Sequence, residues 1–390
     1  MFRKLTLVSL LHLATSALSS PCVTFDASFN LLAFGLNGKD WNAGTQDSWT
    51  SGSAADITAT GRPPFDGANT TCYLAQFFNA VYVMNGDASN PSAVYIYDAG
   101  AKSWSTQSVT TGTFDPSSFN AILDHDTNVF YALSKGEVFF LDLGSLKVAN
   151  TTALSWVDVG KSPYPATYEP VMALAQNHIH FLDVPGTPAG DADIFVIHFS
   201  FFQPDPQSYP LPDGSAFPAT HGQASSFFQE SAVQQEFAFI PDDGSNTYVI
   251  NVETNTTQSL AGPSTKDAKA TYAASITALV QLDSTGAVSF LPYAQGDAST
   301  NAQAKWTSVA NVAAVAPPGS SSSSSNSSAS GSNSPSKSSA SGVKTGASGS
   351  SPTQSAGASQ QSGGALSTSS GLTGFAMIVA GMLSVLGMTL

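Results

Sequence analysis

Five apolar runs recur along the middle of this 390-residue chain at nearly even distances. Taking Val81, Val129, Ile179, Phe237 and Leu279 as markers, the spacings are 48, 50, 58 and 42 residues. Each run is followed by a second one of the same kind. Ala80–Met84 precedes Ala93–Tyr97, Asn128–Ala132 precedes Glu137–Leu141, and His178–Leu182 precedes Asp193–His198. Glu236–Ile240 precedes Thr247–Asn251, and Ala278–Leu282 precedes Ala287–Leu291. The runs are rich in Val, Ile, Phe and Tyr and are punctuated by Gly, Pro, Asn and Asp, which marks short strands and not helices. A unit of 40–50 residues with several strands cannot cover both faces of its own small sheet, so the units must pack on one another.

Ring-wise packing of such units is the β-propeller solution. The five visible units predict an all-β domain of five to seven blades over residues 20–317. A large β-sandwich is the runner-up. A further blade is available from Asn30–Phe34, Gly38, Trp41 and Trp49. If it forms, the ring is expected to close by pairing strands from both chain ends, which removes exposed edges.

The unit from Cys72 to Trp104 resembles the kelch family. Val81-Tyr-Val-Met84 ends one strand, Asn85-Gly86 follows, and Val94-Tyr-Ile-Tyr97 runs into Asp98 with Trp104 six residues on. The second unit repeats the pattern with Asp142 and Trp156. The resemblance implies a kelch-like β-propeller in which Tyr95, Tyr97 and Trp104 pack between sheets. Kelch-type propellers include copper-radical oxidases, whose cofactor needs a cysteine crosslinked to a tyrosine. The only cysteines are Cys22 and Cys72, and if they pair no thiol is left, so no cofactor is expected.

Both ends of the chain read as addresses. Residues 1–19 combine a basic start, a short apolar stretch and small residues, which is a secretory signal peptide cut after Ser19. Residues 318–362, mostly Ser, Gly and Ala, lack the apolar area to offset chain entropy, so a disordered and O-glycosylated stalk is expected. Residues 363–390 follow Ser362 with the small residues Gly363 and Gly364, a polar spacer and the uncharged tail Phe375–Leu390. That is a GPI-attachment pattern, with the lipid on Ser362 or Gly363. The alternative is a single-pass membrane helix, against which stand the lack of a following Lys or Arg and a short apolar length. In a secreted chain the two cysteines are expected to form one disulfide, worth roughly 3–4 kcal/mol by loop entropy. Asn69, Asn150, Asn255 and Asn326 head N-x-S/T sequons, which places them on exposed segments.

Residues 20–317 hold all 27 acidic side chains but only nine of the 13 Lys and Arg, a net charge of −18. Such a surface repels nucleic acid. His178, His180 and His198 form a candidate metal cluster. They share a face if residue numbers of paired positions sum to 376, and do not if they sum to 377. The turn aspartates Asp87, Asp98, Asp142, Asp183, Asp242 and Asp243 are the candidate carboxylates for glycoside chemistry, although turn Asp commonly satisfies its own backbone. No GxSxG, HExxH or phosphate-binding glycine loop occurs in the domain. The function expected is therefore a non-enzymatic binding or adhesion module for an unknown glycan or protein at a fungal-type cell surface. The alternatives are a surface glycosidase and a structural wall protein.

Overall fold

Strands buried on both faces read as unbroken apolar runs, whereas strands with one wet face alternate. Both kinds occur in the computed structural model, which describes residues 20–230 and 233–315. Leu31–Leu36, Ala80–Met84, Glu236–Pro241 and Ala278–Leu282 are buried along their whole length. Each is the second strand of its sheet. Outer strands such as Ser103–Gln107 and Thr256–Ala261 alternate between buried and exposed residues. Hairpins join them at positions that tolerate positive φ. Lys135-Gly136 connects Val129–Ser134 to Glu137–Asp142 with φ of 52° and 81°. Gln176-Asn177 does the same after Val171–Ala175, at 50° and 56°. Two such residues in succession match the twist of the flanking strands.

The result is a six-bladed β-propeller. Among the described residues, each blade is an antiparallel meander, the fourth carries one extra short strand, and Val109–Thr110 and Leu154–Ser155 pair in parallel as a separate two-stranded sheet before the outer strand of the third blade. The innermost strands are Cys22–Phe25, Thr71–Ala75, Asn120–Asp124, Val171–Ala175, Gly222–Ser226 and Thr271–Ala274. They neighbour one another in that order, and the sixth neighbours the first. The sixth blade to be found, beyond the five visible as repeats, is the N-terminal one.

Six apolar clusters fill the six clefts between blades. Phe34, Phe65, Tyr97 and Trp104 lie between blades one and two. Tyr82, Phe114, Phe130 and Trp156 lie between two and three. Tyr164, Phe181 and Phe195 follow, then Phe217, Phe237 and Phe239, then Tyr293 and Trp306. Trp49 meets Phe290 edge-to-face at 5.0 Å between blade one and blade six. Fully burying one such ring is worth about 1.5–3 kcal/mol, so the interfaces carry most of the favourable energy. Tyr95, Tyr97 and Trp104 are buried, as the kelch-like pattern implied.

Closure differs from expectation. Among the described residues no blade mixes strands from the two chain ends. Instead the segment after the last strand turns into a single helical turn, Ala310–Ala313, and docks on blade one. Asn311, 2% exposed, donates through Nδ2 to the carbonyls of Ala43 and Ser48 at 2.8 and 3.0 Å. Its backbone N–H reaches Trp49 O, and its carbonyl accepts from Ala54 N–H. Val309 and Val312 enter the same cluster as Trp49. A side-chain clasp suffices because blade one already has four strands, so its edge offers no vacancy to fill. The disulfide Cys22–Cys72 joins the first and second innermost strands, with Cα atoms 5.9 Å apart.

Asn311→Ala removes two side-chain hydrogen bonds from the closing interface, where Ala43 O keeps only Ser48 Oγ and Ser48 O keeps only Ser51 N–H. It should cost about 1–3 kcal/mol and lower the thermal midpoint by several degrees. A melting curve unchanged from the parent would show that the clasp does not hold the ring.

Candidate functional site

Innermost strands crowd around the axis and cannot carry large side chains on every residue. Theirs are mixed small, apolar and hydroxyl-bearing: Thr71-Cys-Tyr-Leu-Ala75 and Thr271-Tyr-Ala-Ala274 are examples. All six contribute to an axial cavity of ≈ 190 Å³. Thr71, Asn120, Gln223 and Thr271 line it towards the end at which these strands begin, and all four keep partial solvent exposure. The Cys22–Cys72 bridge sits in the same wall.

At the other end a single loop crosses the axis. It leaves the fifth innermost strand at residue 227 and rejoins its blade at 236. Phe228 packs on Phe29 of blade one, with centroids 5.9 Å apart, and on His125 of blade three at 5.2 Å. Its N–H reaches Ser275 O of blade six at 3.3 Å. Gln229 O accepts from Gln76 Nε2 of blade two at 3.0 Å, and Gln234 O accepts from Gln176 N–H of blade four at 2.7 Å. One loop therefore touches the other five blades, each just past the end of its innermost strand. Phe77 stacks on the outer side of His125 at 5.7 Å.

No Asp, Glu, His, Lys or Arg lines the cavity. Two phenols do, and burial pushes both Tyr73 and Tyr272 up to about 12, so both stay neutral. Their hydroxyls are engaged: Tyr73 donates to Ala121 O at 3.2 Å, and Tyr272 accepts from Gln281 Nε2 at 3.0 Å. In contrast, Thr71 Oγ1 and Thr271 Oγ1 are shielded from solvent and have no hydrogen-bond partner. The cavity is thus uncharged in a chain of formal net charge −14. It offers hydroxyls and amides, and no group that could act as a general acid or base near neutral pH.

The histidines do not converge as a metal centre. Paired residues of His178–Leu182 and Asp191–Val196 sum to 374, with His178 opposite Val196 and His180 opposite Ile194. The strand then ends, and His198 lies on the exposed side of the short turn Ile197–Phe199. His180 is buried between the rings of Tyr209 and Phe237, with centroids at 5.9 and 5.4 Å. Among the described residues no cluster of three or more His, Cys, Asp or Glu could hold a metal ion.

Most of the turn aspartates serve their own loops. Asp98 accepts from Gly100 and Ala101 N–H, Asp142 from Gly144 N–H, and Asp243 from Ser245 N–H. Asp87 accepts from Ser89 N–H and from Tyr95 OH. Asp183 and Asp242 differ. Asp242 Oδ2 lies 2.9 Å from His221 Nδ1, a residue that sequence reasoning passed over. Beside this pair a cleft of ≈ 430 Å³ is lined by Glu169, Asp183 and His221. Burial, together with the charge of Asp242, raises the Asp183 carboxyl above its ordinary range against the pull of His221.

Of the sequons, Asn69, Asn150 and Asn255 are exposed on turns or loops. Asn326, Ser362, Gly363, the leader, the Ser-rich stretch and the apolar tail lie outside the described residues.

No family model matches the chain, and no curated protein matches it. Solved structures do. YjhT aligns over 75% of this chain and 98% of its own, with a TM-score of 0.47 and 9% identity. The selenomethionine-substituted virginiamycin B lyase of Staphylococcus aureus aligns over 70% and 80%, with 0.38 and 9%. A chain of the nidogen/laminin complex aligns over 61% and 77%, with 0.37 and 5%. At these identities the likeness concerns the fold.

Burial holds His180 neutral, with its pKa lowered to about 3 and the nearby His178 adding to the shift. In the unfolded chain the same imidazole takes up a proton near pH 6.5. As pH falls from 6.5 towards 3, the unfolded state therefore binds more protons, and the fold is destabilised by up to tenfold in its equilibrium constant per pH unit. His180→Phe should flatten the decline of the thermal midpoint across that window. Parallel pH profiles for the variant and the parent would assign the decline to other groups.

Proposed function

We propose that this chain is a surface-displayed binding module. In this reading the signal peptide is removed after Ser19 and the C-terminal segment is exchanged for a GPI lipid at Ser362 or Gly363. A kelch-like propeller then presents its loops to a glycan or protein outside a fungal-type cell. One observation carries the binding part: six blades converge on a cavity without a carboxylate, imidazole or cation. Catalysis on a sugar or peptide bond needs positioned acids, bases or nucleophiles, whereas recognition of a neutral group needs hydroxyls, amides and apolar walls. The three exposed sequons on turns or loops agree with passage through the secretory pathway.

A second reading, a surface carbohydrate-active enzyme, is favoured by the cleft beside His221 and Asp242. There Glu169 and Asp183 supply carboxyl groups, one of them shifted upward. Cleavage of aryl glycosides that is abolished by Asp183→Asn would select it.

Phosphatidylinositol-specific phospholipase C applied to intact cells should release the mature protein, which begins after Ser19 and ends at Ser362 or Gly363, into the medium. Retention would favour the membrane-helix alternative. The displayed protein should retain at least one partner from a glycan array or a set of cell-surface proteins, and an empty result in both would remove the binding reading.

A further inference from the structure

We propose that the axial cavity is a recognition site for one neutral, hydroxyl-rich unit of about the size of a single sugar ring. This inference rests on the binding reading and names the ligand class.

Size is the first constraint. A cavity of ≈ 190 Å³ falls below the roughly 300–1,000 Å³ of ordinary ligand pockets. That suits one small unit such as a single pyranose ring. At the far end Phe228 and Gln234 line the cavity, and Phe228, Gln229 and Gln234 make contacts with five blades.

Charge is the second. No ionised side chain lines the walls, so a cation or anion inside would lose its hydration without gaining a counter-charge, and the cost is prohibitive. The acidic exterior adds repulsion for an anionic sugar.

The third constraint is the state of the polar groups. A buried hydroxyl without a partner costs about as much as a lost hydrogen bond. Thr71 Oγ1 and Thr271 Oγ1 are both in that state, on the innermost strands that flank blade one. Each is the first residue of its strand. Gln223 and Asn120 supply amides from the opposite part of the wall, and Val23, Leu74 and Ile122 supply apolar surface. Hydroxyls and amides interleaved with aliphatic carbon match the two-sided character of a sugar ring.

Two substitutions test this without threatening the fold. Thr71→Val and Thr271→Val remove hydroxyls that make no close hydrogen bond within the protein, the first approaching only the Tyr73 hydroxyl, so melting temperatures should hold or change little. The full secreted chain is titrated by saturation-transfer NMR with D-glucose, D-mannose and N-acetyl-D-glucosamine, and with the charged D-glucosamine and D-glucuronate. At least one neutral sugar should saturate, the charged pair should bind tenfold or more weakly, and each variant should weaken binding roughly three- to tenfold. The proposal falls if no neutral sugar saturates, if charged sugars bind as well, or if both valine variants bind like the parent. Capture of a surface partner equally by parent and variants would leave the binding module standing and remove the cavity from it.

Discussion

The whole architecture follows from sheets that have two apolar faces. Leu31–Leu36 and Ala278–Leu282 bury every residue, so neither blade can exist with one side wet. Each face must meet another blade, and the requirement passes from neighbour to neighbour until the chain meets its own start. Six units of this twist satisfy it with one aromatic cluster per cleft. The interface between the last blade and the first is the only one not aided by continuity of the chain. That is why it collects Trp49, Phe290, Val309, Val312 and the Asn311 clasp in one place.

How much of this can be read from the residues depends on which strand is read. The second strands were legible because double-sided burial writes an unbroken apolar run, and their spacing gives the blade period directly. The innermost strands were faint. Asn120–Asp124 and Gly222–Ser226 face a cavity and small neighbours, so they lack the bulky β-branched pattern that marks a strand. The closing turn Ala310–Ala313 carries no strand signal at all. The expectation of a shared blade failed because it assumed that only strand pairing can seal a ring. The histidine register stayed open in the sequence for a related reason. Eight residues separate the two strands, long enough to leave the pairing free of any turn rule, and His198 lies past the strand end in a turn closed by Ser200 at φ 48°.

The site was less legible than the fold. The disulfide was expected from compartment and count, and it forms. Nothing in the linear order draws Thr71 to Thr271, which are 200 positions apart and become neighbours of blade one only when the ring closes. The aspartates attracted attention because carboxylates are the usual agents of hydrolysis. Their turn contexts explain most of them as local caps.

A division of labour follows from the geometry. Cohesion sits in the clefts, at the radius where rings such as Phe34, Phe130 and Phe237 are sealed from water. Innermost strands give residues such as Phe25, Leu123 and Val171 to the clefts and leave a cavity at the axis. The protein fixes this centre by further means. A covalent bridge spans two innermost strands, and a single loop ties five blades across one mouth. Staples of that kind fix the position of the cavity wall without filling the cavity. Polar atoms such as Thr71 Oγ1 and Thr271 Oγ1 can then stay unpaired at small cost to the whole, because the stabilising interfaces lie elsewhere and do not depend on them.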